Sequence, residues 1–139
     1  MPVIRYACAC DLSFWRQLDP HLPETLLLEK FQSRCCYIAE MNDERCGILR
    51  FNLAWDNTPF CTHLYIHPRF QRQGLGKAMM RHWEQDMKQQ GYGLIMVSTQ
   101  VDEDAQHFYR KIGYKDIGGI ILDFPGYEQP MEMFMAKLL

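Results

Sequence analysis

An apolar run, Leu64-Tyr65-Ile66, passes through the short basic loop His67-Pro68-Arg69-Phe70-Gln71-Arg72-Gln73 into Gly74-Leu75-Gly76-Lys77, which opens an amphipathic helix. No other stretch limits the accessible folds as strongly, because it reads as a strand feeding a helix through a turn that needs two glycines. The first turn of a helix carries backbone N–H groups with no partner inside the helix. The macrodipole adds roughly half a positive charge at the same end. Gly74 and Gly76 have no side chains to hold an anion away from those amides. Arg69, Arg72 and Lys77 add formal charge around them. The segment is therefore a candidate site for a phosphate-bearing ligand.

Two familiar phosphate loops fail against the letters. A Walker loop requires Gly, four residues, then Gly-Lys-Ser/Thr, but Ala78 follows Lys77 and Gln71 stands where the first glycine belongs. A dinucleotide fingerprint requires a third small residue for close helix–strand packing, and Met79 occupies that place. What remains is Gln71-x-x-Gly74-x-Gly76. It resembles the Q/R-x-x-G-x-G/A loop of the GNAT superfamily of N-acetyltransferases.

A second segment strengthens the resemblance. Asp102-Glu103-Asp104-Ala105-Gln106-His107-Phe108-Tyr109-Arg110-Lys111-Ile112-Gly113-Tyr114 is similar to the family signature N-x-x-A-x-x-φ-Y-x-x-x-G-φ. Ala105, Phe108, Tyr109, Gly113 and Tyr114 match, while Asp102 replaces the usual Asn. The two motifs and the elements between them cover about half the chain in the family's order. The resemblance implies an α/β fold with a mixed, mostly antiparallel central sheet of about seven strands flanked by helices, the GNAT-like acyl-CoA N-acyltransferase fold. It also implies acetyl-CoA as cosubstrate and a primary amine as acceptor. On this resemblance Leu64, Tyr65 and Ile66 offer backbone groups to the pantetheine arm. Arg72, Gln73, Gly74, Leu75, Gly76 and Lys77, with Gln71 before them, hold the diphosphate, and Tyr109 lies near the coenzyme sulfur. Asp102 falls at a coenzyme-binding position, but it cannot donate a hydrogen bond as an Asn amide can.

Length and composition set the remaining bounds. A chain of 139 residues suits one domain, 1–139, with a real core. The formal net charge of −2 and the absence of a basic stripe argue against a nucleic-acid partner. Apolar runs are too short to span a membrane, and no signal peptide is evident. Among the cysteines there is no CxxC pair, Cys35-Cys36 are adjacent, and Cys8-Ala-Cys10 is too close for an ordinary bridge. Free thiols in a reducing cytoplasm are the expectation, with no metal site. A homodimer through the late strands is implied by the family alone.

Local patterns alone give a mixed α and β chain; the resemblance implies the order β-α-α-β-β-β-α-β-α-β-β. Val3 to Ala7 reads as a strand, Asp11 as the N-cap of a short helix, and Glu24 to Gln32 as a second helix. Cys36 to Met41 and Cys46 to Leu53 form a hairpin turning at Asn42-Asp43. Phe60 to Ile66 is the strand that feeds the glycine loop. Leu75, Met79, Trp83 and Met87 make one apolar stripe on a helix that Gly91 ends. Leu94 to Thr99, Glu103 to Ile112, Tyr114 to Leu122 and Met131 to Leu138 complete the chain as strand, helix, strand and strand.

Acetyl transfer to an amine needs a deprotonated nucleophile, a polarised thioester carbonyl and a proton for the departing thiolate. Positioning supplies much of the rate. Tyr109 is the candidate general acid, since a phenol of pKa ~10 can protonate a thiolate of pKa ~8–9 as it forms. For the base, many relatives use a glutamate on the strand before the glycine loop, yet no acid lies between Asp56 and Glu84. Ribosomal-protein N-terminal acetyltransferases use a glutamate on the next strand, where this chain has Val97. That departure argues against a peptide N-terminus as acceptor.

His63, Glu40 and an ordered water relaying the proton to solvent are the three substitutes. Cys61 and His63, two apart, share one strand face in a regular strand, the spacing a covalent acetyl-enzyme would use. Nothing in the sequence orients that histidine, so direct attack in a ternary complex is the expectation. Trp55-Asp56-Asn57 and Asp123-Phe124-Pro125-Gly126-Tyr127-Glu128 would together form an acidic, aromatic mouth for a small cationic amine. A non-catalytic acyl-CoA sensor of the same fold, or a protein lysine or N-terminal acetyltransferase, are the alternatives.

Overall fold

The structure is a computed structural model that describes residues 1–139. Its strands are β1 (Val3–Tyr6), β2 (Cys36–Met41), β3 (Glu44–Ala54), β4 (Thr58–Ile66), β5 (Leu94–Gln100), β6 (Lys115–Ile120) and β7 (Glu132–Leu138). Its helices are α1 (Leu12–Leu18), α2 (Glu24–Gln32), α3 (Leu75–Gln89) and α4 (Ala105–Lys111). One seven-stranded sheet runs in the order β1-β2-β3-β4-β5-β7-β6. Every neighbouring pair is antiparallel except β4–β5. The element order matches the sequence expectation, with no end shifted by more than two residues.

Each sheet face has its own core. Alternation along β2 and β3 sends Cys36, Ile38 and Ile48 to one side, where Trp15 of α1 and Leu27 and Phe31 of α2 cover them. It sends Tyr37, Leu49 and Phe51 to the other, against Met79, Trp83 and Met87 of α3 and Tyr109 of α4. The predicted stripe on α3 is buried, with Met80 added to it. Gly47 lets α3 lie close: a Cβ there would stand 2.7 Å from Ile66 Cδ1 and 3.1 Å from Met79 Sδ. On this inner face Glu84 accepts hydrogen bonds from the Tyr114 hydroxyl (2.8 Å) and Lys137 Nζ (3.0 Å), tying α3 to β7 and to the end of α4, and Asp86 accepts from the Tyr6 and Tyr37 hydroxyls. Gly91 and Gly113, at φ +97° and +103°, follow the last residues of α3 and α4, as C′ glycines do.

Two local expectations are corrected. Asp11 stands at the N-cap position of α1, as expected, but its side chain makes no capping bond to the helix. It lies in a 3₁₀ turn, Ala9–Asp11, and its fully buried carboxylate accepts from the Cys8 N–H, Arg5 and Arg45. Three donors outcompete the orphan amides of a short helix. Cys8 and Cys10 are paired in a disulfide, because that turn folds their Cα atoms to 5.3 Å, inside the usual disulfide range. Cys35, Cys36, Cys46 and Cys61 are free. No helix is long and apolar enough to cross a membrane.

Candidate active site

The site begins where two parallel strands part. β4 stays hydrogen-bonded to β3 as far as the Gly47–Ile66 pair. Its ladder to β5 ends after Phe60–Met96 and Cys61–Val97. Thr62 is an extra residue in β4, since His63 pairs with Arg50 and Cys61 with Phe51. A bulge bends its strand and increases the local twist, and this one sits at the last rung shared with β5. From His63 to Ile66 the β5-facing edge of β4 is therefore open, and its backbone polar groups are available to a ligand.

Beyond Ile66 the chain makes a second 3₁₀ turn, Pro68–Phe70, and enters the glycine loop. Gln71 donates from Nε2 to the Ile66 carbonyl (2.9 Å), which fastens the loop to the strand end. Arg72 and Gly74 adopt positive φ, +64° and +80°. Gly74 is the N-cap of α3, and a Cβ there would meet no atom within 4 Å. The backbone N–H groups from Arg72 to Lys77 donate to no acceptor in the protein, the first bond of the helix being Ala78 N–H to Gly74 O. Neither Arg72 nor Lys77 is in an ion pair, whereas Arg69 turns away to Glu44 (3.3 Å). An open, unsatisfied run of amides at a helix N-terminus fits a diphosphate.

A cleft of about 670 Å³ runs from this loop along the open strand edge. Leu64, Tyr65, Ile66, Gln71, Arg72, Gly76 and Tyr109 line it. Gln73, Gly74 and Lys77 stand exposed beside it in the loop and first turn, while the Leu75 side chain is core. A second cavity, about 320 Å³, adjoins the first and shares Leu64, Tyr65, Ala105 and Tyr109 with it. Tyr109 thus sits at the junction. It is 7% exposed, its hydroxyl has no partner in the protein, and burial pushes its pKa above the ordinary phenol value, with Cys61 adding to the effect.

His63 lines the second cavity. Its Nε2 is buried without a partner. Burial holds the ring's pKa below the ordinary histidine value, with the Asp19 carboxylate opposing the shift. Asp19 is bound to Arg50 at 2.7 Å, and the His21 ring lies 6.1 Å from His63. His63 therefore faces the loop between α1 and α2. Cys61 packs on the other side of the sheet, among Met79, Trp83 and Tyr109. The bulge separates two residues that regular alternation would place together. Burial also pushes the Cys61 thiol up to about 12, so it is no nucleophile near neutrality.

Glu40 is not brought to the cleft. It sits on β2 against β1, bound to Arg5 at 2.6 Å. Asp102 is exposed in a turn and caps nothing, because α4 begins later, with Asp104 at its N-cap. The two aromatic loops lie at opposite ends of the sheet. Trp55 and Asp56 turn the β3–β4 hairpin beside the start of β4. The Asp123–Pro130 segment leads into Glu132, which pairs with Gln100 at the cleft end of β5. Two acids that do line the second cavity are Glu103, in the turn after β5, and Glu132. The spacing of the glutamates in sequence gives no sign of this, since the cross-strand register of β7 delivers one of them.

Comparison with known proteins agrees with this geometry. The model of the acetyltransferase (GNAT) family matches residues 5–114. The "Uncharacterized N-acetyltransferase ycf52" of Porphyra purpurea is 28% identical over 115 residues, which is 80% of this chain. The chain spans 64% of the length of that curated relative. Among solved structures, the IAA acetyltransferase from Bacillus cereus is 19% identical, with a TM-score of 0.78 and all of both chains covered. The protein yncA from Salmonella typhimurium, solved with acetyl-CoA, is 15% identical, with a TM-score of 0.83 over 100% of this chain and 94% of that one. At these identities the solved structures share the fold.

Proposed function

Because the chain belongs to the acetyltransferase (GNAT) family, we propose that it moves an acetyl group from acetyl-CoA to a primary amine by direct attack in a ternary complex. The observation that carries the proposal is the parting of β4 from β5 beside the unpartnered amides of Arg72 to Lys77. Acetyl-CoA, the ligand of the Salmonella typhimurium neighbour, supplies an activated acyl thioester. The diphosphate rests on the loop amides, with Arg72 and Lys77 as counter-charges. The open edge of β4 from Leu64 to Ile66 takes the place of a strand partner for the pantetheine arm.

The chain's own residues then handle two protons. A bond forms between the amine nitrogen and the acetyl carbon as the carbon–sulfur bond breaks. The nitrogen loses one proton, which an ordered water relays to the His63 imidazole. The departing sulfur gains one from the Tyr109 hydroxyl. Burial keeps Tyr109 protonated throughout the physiological range. The same burial raises the basicity of a thiolate formed beside it, which acts against the weaker acidity of the buried phenol. Direct transfer is supported by Cys61, whose thiol burial keeps neutral although the residue lines the second cavity.

The test is mass-spectrometric turnover with purified protein, acetyl-CoA and a pooled library of amines, amino acids, aminoglycosides and peptides. A product one acetyl group heavier, formed only with active protein, supports the enzyme and reveals its acceptor. Acetyl-CoA binding without any product supports an acyl-CoA sensor instead. Failure to bind the coenzyme refutes the proposal.

A further inference from the structure

The second cavity has a charge pattern that the transfer chemistry leaves unused. Glu103 Oε1 accepts from the Gln100 N–H (2.8 Å) and the Thr99 hydroxyl (3.5 Å), and Glu132 Oε1 accepts from Gln129 Nε2 (3.3 Å). In each glutamate the second carboxylate oxygen has no partner. Neither residue belongs to an ion pair, and no lysine or arginine lines the cavity. Two negative charges therefore face one small space without neutralisation. One further group there lacks a partner, the Tyr109 hydroxyl, whose residue is more than nine-tenths buried.

In the reading above His63 takes the proton of the reacting amine, which leaves the two carboxylates free for another part of the acceptor. They suit a cation elsewhere on the same molecule. They also repel a carboxylate, which excludes amino acids bearing a free acid group. A cavity of about 320 Å³ is at the small end for ligand sites and suits a short chain rather than a folded partner.

We infer that the acceptor is a short primary diamine, one nitrogen attacking the thioester near Tyr109 and His63 while the other, still an ammonium, is held by Glu103 and Glu132. The inference rests on the acetyltransferase reading above. The reacting nitrogen gives up a proton as the amide forms. The distal ammonium keeps its protons and fixes the distance of the reacting end from the carboxylates.

The experiment compares 1,4-diaminobutane with 4-aminobutan-1-ol and 4-aminobutanoate, following thiol release at saturating acetyl-CoA, with coenzyme binding measured separately by calorimetry. The expected kcat/KM favours the diamine over the amino alcohol by roughly tenfold, the discrimination one charge-assisted hydrogen bond supplies. The amino acid ranks last. In Glu132→Gln and Glu103→Gln, each tested alone so that folding of either keeps the comparison decisive, the diamine-to-alcohol ratio falls towards one. Equal rates for diamine and alcohol, a preference for the amino acid, or a ratio unchanged in both variants overturns the inference. So does coenzyme binding without turnover of any of the three, which leaves the acetyltransferase reading standing. Absence of coenzyme binding overturns that reading, and this inference with it.

Discussion

Replacing Gly74 separates what a glycine does for the fold from what it does for an anion. The residue is the N-cap of α3 at φ +80° and ψ +10°, and a Cβ there meets nothing within 4 Å. Sterically the position is open, so the penalty of a side chain is that of the left-handed backbone alone, about 1 kcal/mol. Asn and Asp visit this region more readily than other residues. Gly74→Asn and Gly74→Asp should therefore lower stability by similar small amounts, a shift of about 3 °C in Tm for a domain of this size. Their effects on the coenzyme should differ sharply. An Asp carboxylate about 6 Å from one phosphate charge, at an effective dielectric constant of about 20, adds roughly 3 kcal/mol of repulsion, a little over a hundredfold in Kd. The neutral Asn adds none. Calorimetric titration of both variants with acetyl-CoA, beside thermal unfolding without it, reads the two effects separately. Raising the salt to about 1 M, where the screening length is about 3 Å, should narrow the gap. Equal affinity in the Asn and Asp variants would refute the placement of a diphosphate at this turn, and so would a loss in Asn as large as in Asp.

Three further outcomes test the chemistry and the frame. Tyr109→Phe should lower kcat by roughly a hundredfold, within the usual range for a lost general acid, with acetyl-CoA affinity and unfolding midpoint little changed because the hydroxyl has no protein partner. Rapid-quench kinetics with calorimetry checks it, and normal turnover removes Tyr109 from the mechanism. His63 accepts a proton only when neutral, and its pKa is held below the ordinary value by burial. The acid limb of kcat/KM should therefore fall below about pH 6.5, and His63→Gln should abolish that limb along with most of the rate. For Asp11, burial opposes ionisation, but the Arg5 and Arg45 hydrogen bonds and the Cys8 N–H outweigh it and lower the pKa to about 2. A depressed carboxylate stabilises the fold above its unfolded value, so that contribution should be lost as pH drops from about 4 to about 2. In Asp11→Asn the urea midpoint should be lower at neutral pH and vary less across that window.

The backbone half of the site was legible in the sequence, and the side-chain half largely was not. Glycines at Gly74, Gly91 and Gly113 mark turns whose positive φ few other residues tolerate, so letters report geometry there directly. Strand alternation is weaker evidence. One extra residue, Thr62, reverses the relation between Cys61 and His63, and no local signal in Cys-Thr-His announces it. The α4 start is easily misplaced because Asp102 and Asp104 are both good capping residues. The turn is settled by Glu103 folding back onto the Gln100 N–H, which leaves Asp102 outside. Glu40 lies on a strand two removed from β4 in the sheet, where Arg5 claims it. Glu132 depends on β7 inserting between β5 and β6, a sheet order that no spacing along the chain reveals.

That division follows from what each half must recognise. Diphosphate and pantetheine present the same groups to any such protein, and main-chain N–H groups at a helix start and a strand edge are sufficient partners. Those groups are fixed by the fold, so the residues around them are constrained mainly in backbone conformation. The acceptor end proposed above draws instead on the bulged end of β4, the turn after β5 and the first residue of β7. Of these contributors His63, Glu103 and Glu132 belong to neither core cluster, and changing them removes little buried apolar surface. Acceptor choice can thus shift by single substitutions at small expense in stability, while the same substitutions in Met79, Trp83 or Leu49 would empty the core beneath the cleft.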